Sequence, residues 1–270
     1  IQSVSPGALT LARPLTSGWA RGTSIWPAVA ARLTELPTLS RLTDRASETI
    51  VTFQQLAGGD SAAALPGESY RGRPVLGVAP DESEPLTTQV QRLLHELDSM
   101  TGPVHRVDSA NRSFTLQSYR FLEYGRAGHV ALRGLLHFLQ GRQQALWLPT
   151  FADDLNLVET MPGVSTAMVV RNIGYFRYGG GAGRRDIRIQ LRSGAVFHRR
   201  IEAASALDAD REQLTLDTAL GQTVAPAEVV RISWLALCRL DQDAVEFLHE
   251  TDADGIGKCQ VLFRSVLDEL

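Results

Sequence analysis

Alternating apolar and polar positions run through the second half of the chain and predict a fold made mainly of strands. The segment 187–191 alternates strictly, Ser193-Gly194 is a tight-turn signal, and 195–201 returns as a second strand. Between 230 and 240 both sets of alternate positions are apolar, which is typical of a strand covered on both faces. Further predicted strands are 214–216 and a final hairpin of 244–250 with 259–264 around Asp254-Gly255.

One segment has helical spacing instead. Apolar residues between 127 and 140 recur every three or four positions and form one broad face. Gly141 stands where a glycine cap is expected at the C-terminus of a helix. The following segment, 145–149, is apolar and ends in proline, so it predicts a buried strand with Trp147 in the core.

The segment 86–124 allows two interpretations. Four apolar residues between 90 and 97 have helical spacing, whereas 98–103 is a strong turn signal and 113–124 has the composition of a strand. A helix followed by a strand and a long antiparallel pair both fit these features. We take the pair as the prediction because the turn joins the two halves directly.

The first 70 residues are the hardest part of the chain to assign. Short apolar runs at 8–11 and 49–53 resemble strands, but five prolines interrupt the segment, and 57–67 has the Ala, Gly and Ser content of a loop. Trp19 and Trp26 are the aromatic anchors that we expect to fix this region to a core or to a neighbouring chain.

These patterns predict a mainly β fold with a few helices (α+β). We expect an N-terminal β domain with one clear helix, residues 1–157, and a C-terminal β-barrel or sandwich, residues 158–270. The boundary is expected between Phe151 and Gly163.

Composition is that of an ordinary globular protein. The chain has 270 residues, of which 44% are hydrophobic and 21% charged, enough to bury a sizeable core. The net charge of −3 gives no general attraction for nucleic acid or anionic membranes, and no run of 18 apolar residues predicts a membrane span. The first thirteen residues lack the layout of a signal peptide, and the start at Ile1 leaves room for a preceding segment.

Local motifs predict no catalytic residue, no cofactor and no metal site. The glycine run 179–183 is followed by arginines and a strand, whereas a phosphate loop requires a helix with Lys and Ser or Thr. The segment 251–255 resembles the start of a calcium loop, but Phe263 stands where an EF-hand requires glutamate. The pair Asp153-Asp154 fits a turn, and the six histidines form no HExxH motif. Two cysteines, Cys238 and Cys259, are expected to be reduced core thiols.

Charge is unevenly distributed along the chain. Between 171 and 200 there are eight arginines and one acid, whereas 241–254 holds six acids and no lysine or arginine. The two segments either pair within one domain or are solvated faces, or else the basic face of one subunit meets the acidic face of the next and closes a ring. The candidate interface residues are Arg171, Arg177, Arg184, Arg185, Arg188, Arg192, Asp241, Asp243, Glu246 and Glu250.

Two segments resemble tail-tip proteins of long-tailed bacteriophages and related gene transfer agents. In 133–157, Gly141-Arg142 after the predicted helix is followed by Trp147-Leu148-Pro149-Thr150. In 232–264, Arg239-Leu240 leads into Asp243-Ala244-Val245-Glu246, with Phe247 where that family has isoleucine. The resemblance extends over about 115–265 and does not include the first 70 residues.

The resemblance implies a structural protein and not an enzyme. Such a distal tail or baseplate hub component forms a hexameric or trimeric ring that joins the tail tube to hub, tail-tip and receptor-binding proteins. The expected location is the virion tail tip after assembly in the bacterial cytoplasm, with no specific nucleic acid and no membrane insertion. Hub proteins of this kind that hold an iron–sulfur cluster use four cysteines, so no cluster is expected on Cys238 and Cys259.

Two other classes of protein remain open at this point. A hydrolase or binding module for cell-surface glycans predicts a deep pocket lined by carboxylates and aromatic side chains. A small-molecule-binding β-barrel predicts a large apolar cavity within one subunit.

Overall fold

The computed structural model describes residues 3–5, 8–23, 28–56, 67–83, 85–180, 183–250 and 255–266. Its internal contacts divide the chain into two units, Ile1–Gly59 and Asp60–Leu270. This division differs from the predicted boundary at 157/158. Strands from both sides of that position hydrogen-bond to one another, since Ala145–Pro149 pairs with the strand that contains Leu235.

The described residues of the first unit form short paired strands without a buried interior. All its described side chains are exposed. The run 49–53, predicted as a strand, is interrupted because its two ends pair with different partners. Trp19, predicted as an anchor, is exposed, and Trp26 lies outside the described residues. The strands are β1 (Ser3–Ser5), β2 (Ala8–Thr10), β3 (Ala31–Leu33), β4 (Leu39–Arg41), β5 (Ser47–Thr49) and β6 (Phe53–Gln55), paired as β1–β2, β3–β6 and β4–β5.

The second unit contains the remaining elements. They are β7 (Ser69–Tyr70), β8 (Arg73–Pro74), β9 (Thr87–Leu97), β10 (His105–Tyr124), α1 (Gly125–Leu139), β11 (Ala145–Pro149), β12 (Ala167–Arg171), α2 (Tyr175–Tyr178), β13 (Asp186–Leu191), β14 (Val196–Ala206), β15 (Arg211–Leu216), the 3₁₀ turn Pro226–Glu228, β16 (Val229–Leu240), β17 (Phe247–His249) and β18 (Ile256–Ser265).

Ten of these strands form one antiparallel sheet. Its order is β12-β15-β14-β13-β16-β18-β10-β9, while β11 pairs with β16 and β17 pairs with β18. The mainly β class is therefore confirmed, and so is the antiparallel pair β9–β10 predicted within 86–124. The described strands form an open path with ends at β12 and β9, so they do not show the closure required by the barrel, one of the two alternatives predicted for residues 158–270.

Strand β16 is the centre of the sheet and contributes to three apolar clusters. Ile232 and Trp234 pack in the first cluster with residues of β12 to β15. Cys238 and Leu240 pack in the second, beneath α1. Leu235 and Leu237 pack in the third with Trp147. The prediction that this strand is covered on both faces is confirmed.

Helix α1 and the strand that follows it occupy the predicted positions. The helix ends with Gln140 and Gly141 both in the left-handed region, at φ values of 49° and 63°. A Cβ on Gly141 would lie 2.6 Å from Asp243 Oδ1 and 3.2 Å from Asp243 Cα, so the cap requires glycine for space as well as for conformation. Trp147 on β11 has no exposed surface, which confirms the prediction that it is buried.

A segment that we call the strap, residues 67–83, runs across this sheet. The Leu76 amide donates to the Trp147 carbonyl over 2.9 Å, and the Trp147 indole donates to the Tyr70 carbonyl over 2.9 Å. Further along, the Asp81 amide donates to the Arg120 carbonyl over 2.7 Å. These bonds, together with the burial of Val75, attach the strap to strands β10 and β11.

Candidate functional site

The most exposed regular structure in the second unit is a long ribbon. We define the arm as β9 and the part of β10 from His105 to Ser118, which pair with each other. All eleven residues of β9 are exposed. Apolar side chains project from both faces of the ribbon, which is unusual for a surface that meets only water. The exposed apolar residues of the arm and its turn are Val90, Leu93, Leu94, Leu97, Met100, Val104 and Val107.

Ion pairs join the two strands of the arm. Arg92 lies 2.9 Å from Asp108, and Arg106 lies 2.8 Å from Glu96. The register shifts between Asp108 and Ser113, where the Asp108 carboxylate accepts bonds from the amides of the two residues before Arg112. Because cross-strand pairs and an anchored bulge both restrict the backbone, the arm has a defined shape.

The first unit presents a second apolar surface. Two-stranded ribbons without a hydrophobic face to bury are marginal in water. Thirteen large apolar residues of this unit are nevertheless exposed: Leu9, Leu11, Leu15, Trp19, Val29, Leu33, Leu36, Leu39, Leu42, Ile50, Val51, Phe53 and Leu56.

The predicted basic segment is divided between the surface and the interior. Arg188 is buried on β13, whereas five of the six candidate arginines are exposed. No carboxylate forms an ion pair with these five among the described residues. Arg185 and Arg192 bond to backbone carbonyls, and the Arg177 guanidinium lies over the Phe176 ring. The exposed candidates are Arg171, Arg177, Arg184, Arg185 and Arg192.

Three of the four candidate acids have basic partners in their own unit. Arg142 binds Asp243 through Nε and a terminal nitrogen, at 3.1 and 2.7 Å. Arg264 pairs with Asp241 at 2.5 Å, and Lys258 pairs with Glu250 at 2.6 Å. Glu246, the fourth, borders a groove beside the arm. Three of the four acids are thus paired with basic residues of the same unit that lie outside the basic segment.

A buried polar network fixes the strap to strands β13 and β14. Arg188 donates to both oxygens of Glu68, at 3.1 and 2.9 Å. His198 Nε2 lies 3.3 Å from the same carboxylate. Two residues further along the strap, the Tyr70 hydroxyl donates to Asp186 over 2.7 Å, and Arg200 binds both oxygens of Asp186. The half-buried Glu68 and the buried Asp186 therefore each have their own guanidinium partner.

The electrostatics of this network favour the charged form of Glu68. The His198 imidazole and the Arg188 guanidinium lower the pKa of Glu68 to about 2, against the opposing effect of burial. Burial raises the pKa of Tyr70, and the hydrogen bond to Asp186 raises it further, so the phenol keeps its proton. Bidentate pairs between guanidinium and carboxylate groups fix the position of a segment. The network is a structural attachment of the strap.

We expect this attachment to weaken in acid. Because the pKa of Glu68 is lowered on folding, its contribution is complete above about pH 4.5 and is lost as the pH falls towards about 2. Glu68→Gln should flatten the dependence of unfolding free energy on pH in that window. Urea titrations at a series of pH values measure this, with Glu202→Gln on the exposed part of β14 as the control. An unchanged profile in Glu68→Gln would show that the carboxylate does not hold the strap.

Thiols and histidines do not assemble a centre in the described part of the chain. Cys238 and Cys259 are free and buried, as predicted, and burial raises the pKa of each thiol to about 12. No three His, Cys, Asp or Glu side chains among the described residues are grouped to hold a metal ion. The segment predicted to resemble a calcium loop, 251–254, lies outside the described residues, as do Gly181 and Ala182 of the glycine run. No helix of the described residues is long and apolar enough to cross a membrane.

The cavities described next are open surface depressions. A depression of about 740 Å³ at the end of α1 contains one carboxylate, that of Asp243, which Arg142 already binds. A groove of about 600 Å³ beside the arm mixes amide, hydroxyl, charged and aliphatic groups, with no aromatic side chain. Neither of these two has the carboxylate and aromatic lining that a glycan site predicts, nor the apolar lining expected for a small-molecule barrel. A third depression, of about 410 Å³, is lined by Tyr175, Phe176 and Glu202, and so holds one carboxylate where a glycoside hydrolase uses a pair.

Comparison with known proteins gives no further assignment. No protein-family model matches the chain, and no curated protein matches it.

Sequence reasoning missed the two features that distinguish this surface. The arm's apolar residues between 90 and 97 occupy both alternate sets of a strand, and both sets are exposed among the described residues. Strict alternation of apolar and polar residues indicates a strand with one buried face. A strand with apolar residues on both faces lacks this alternation, and the spacing of its apolar residues can match that of a helix. The network on Glu68 was missed because its partner Arg188 lies 120 residues away.

Proposed function

We propose that this chain is a structural subunit of a phage tail tip or baseplate, and that it forms a ring joining the tail tube to the hub and receptor-binding proteins. The observation that carries the proposal is the apolar surface on the arm and on the first unit. A subunit that is complete by itself buries such residues, whereas an assembly subunit buries them against its neighbours. The resemblance of 115–265 to tail-tip proteins is the reason for proposing a phage tail tip as the assembly.

The exposed arginines are the second proposed contact of the ring. Arg171, Arg177, Arg184, Arg185 and Arg192 have no carboxylate partner among the described residues, and guanidinium groups bind carboxylates in fixed geometry. Because Asp241, Asp243 and Glu250 are paired within their own unit, a neighbour must share these acids or offer others. Exposed pairs contribute about 0–1 kcal/mol each, so this contact orients subunits more than it holds them.

The arm should be required for self-association. We expect the purified chain to have the native mass of a trimer or hexamer and not that of the 29.5 kDa subunit. Leu94→Asp with Leu97→Asp should convert it to monomers, because two charges would be placed in a contact that excludes water. Native mass spectrometry measures both.

The matched control replaces two exposed apolar residues away from the arm. Val130 and Val164 are as exposed as the arm leucines, so Val130→Asp with Val164→Asp should keep the oligomer. A monomeric wild-type chain would contradict the proposed function. If the arm variant remains an oligomer, the self-association contact lies elsewhere on the chain. Electron microscopy of particles containing the chain would then show whether it occupies a ring at the tail tip.

A further inference from the structure

Strand β9 leaves one side of its backbone open. It is the terminal strand of the ten-stranded sheet, and among the described residues it pairs only with β10. The Leu93 carbonyl accepts a bond from the Ser109 hydroxyl over 3.2 Å and therefore faces β10. Since the peptide groups of successive residues face opposite sides of a strand, those of Arg92, Leu94 and Glu96 face outwards.

The other end of the sheet is already covered. Next to β12, the Val158 amide donates to the Val169 carbonyl over 3.1 Å, and the Arg171 amide donates to the Asn156 carbonyl over 2.9 Å. A neighbouring copy therefore cannot extend the sheet by joining its β9 to this β12. Of the two strands at the ends of the sheet order, β9 is thus the one whose outer edge has no partner among the described residues, and an identical copy offers the same edge.

We propose that β9 pairs antiparallel with β9 of a second copy, about a two-fold axis that passes through Leu94. Outward peptide groups must meet outward peptide groups, so the even-numbered residues of the two strands lie opposite one another. Centring the pair on Leu94 places Arg92 of each copy opposite Glu96 of the other, so this charge pair occurs twice. Centring it on Arg92 or on Glu96 would place like charges directly opposite each other, which is unfavourable.

The charges on the arm fit this register beyond the single pair. Asp108 binds Arg92, and Arg106 binds Glu96, on the same face of the ribbon as Leu94. Across four strands, each row of charges then alternates in sign from Asp108 through Arg92 to Glu96 and Arg106 of the second copy. The two Leu94 side chains meet between the two rows. Charges on an edge strand normally keep other strands away, but here they are complementary to a second copy of themselves.

This inference rests on the proposed self-association and adds its geometry. A two-fold contact joins copies in pairs, so the number of copies in the assembly is even. A hexamer satisfies that condition and a trimer does not. Closing a ring requires a further contact of another kind, for which the arginines of the basic segment are available.

Disulfide trapping tests the register. Opposite residues of a hydrogen-bonded antiparallel pair have Cα atoms about 5.5 Å apart, within the range for a disulfide. Leu94→Cys should therefore give a covalent dimer on mild oxidation of the intact protein, read on a non-reducing denaturing gel. The native thiols are buried and do not compete.

Val90→Cys is the matched control on the same strand and face. Val90 is 73% exposed and Leu94 59%, so accessibility favours the control. In the proposed register the two Val90 residues lie about 27 Å apart along the strands, at about 3.4 Å per residue, and should not be linked.

Each outcome separates the inference from the proposed function. Dimers from Leu94→Cys but not from Val90→Cys support the pairing. Equal yields, or dimers from Val90→Cys alone, overturn the register. If neither variant is linked while the native mass is that of an oligomer, the β9 pairing is wrong and self-association stands. If neither is linked and the chain is monomeric, both are wrong.

Discussion

Trp147→Ala should be among the most destabilising single substitutions in this chain, costing about 3–5 kcal/mol of unfolding free energy. The indole is fully buried between the strap and β16, packs against Val75, Leu235 and Leu237, and donates a hydrogen bond to the Tyr70 carbonyl. Its removal leaves a cavity where the strap meets the sheet and one carbonyl without its donor. Urea denaturation measures the change, as a lower midpoint with an unchanged slope.

The control for this substitution is an exposed aromatic residue. Tyr178 at the end of α2 is 81% exposed, so Tyr178→Ala should change the unfolding free energy by less than about 0.5 kcal/mol. Trp147→Phe also loses the hydrogen bond, but it keeps most of the side-chain volume, so it should cost less unfolding free energy than Trp147→Ala. A cost below about 1 kcal/mol for Trp147→Ala would mean that the strap does not pack as described.

Asp186→Ala should be similarly damaging, at about 3–5 kcal/mol, for an electrostatic reason. The Asp186 carboxylate accepts bonds from Nε and a terminal nitrogen of Arg200, at 3.0 and 2.9 Å, and from the Tyr70 hydroxyl. Without it, a largely buried guanidinium loses its counter-charge, and Tyr70 loses the acceptor that attaches the strap. The unfolding free energy at pH 7 measures the loss.

A double substitution distinguishes charge from shape at this pair. Asp186→Ala combined with Arg200→Met removes both charges of this pair, so it should be more stable than Asp186→Ala alone. Tyr70→Phe should cost only about 1 kcal/mol because it removes one hydrogen bond from a carboxylate that Arg200 still binds. If the double variant were the less stable of the two, packing by Arg200 would outweigh the charge pair.

The sequence by itself determined the elements whose cause is local. The alternation over 187–201, the helix ended by Gly141 and the apolar strand around Trp147 each depend on neighbours within a few residues. The structure contains them as predicted. Burial on both faces of 230–240 was equally readable, since a strand with apolar residues on both sides must be covered on both sides. These features gave the mainly β class.

Only the tertiary structure decided which charges and which faces remain available. Asp243 meets Arg142 across 101 positions, and Glu68 meets Arg188 across 120, so no local pattern shows that these groups are neutralised. The charge blocks looked complementary in sequence, yet the acids pair elsewhere in their own unit. The exposed edge of β9 depends on what lies beside it in the sheet. Sequence periodicity shows which face of a helix or strand is apolar. Which residues pack against that face depends on the path of the whole chain.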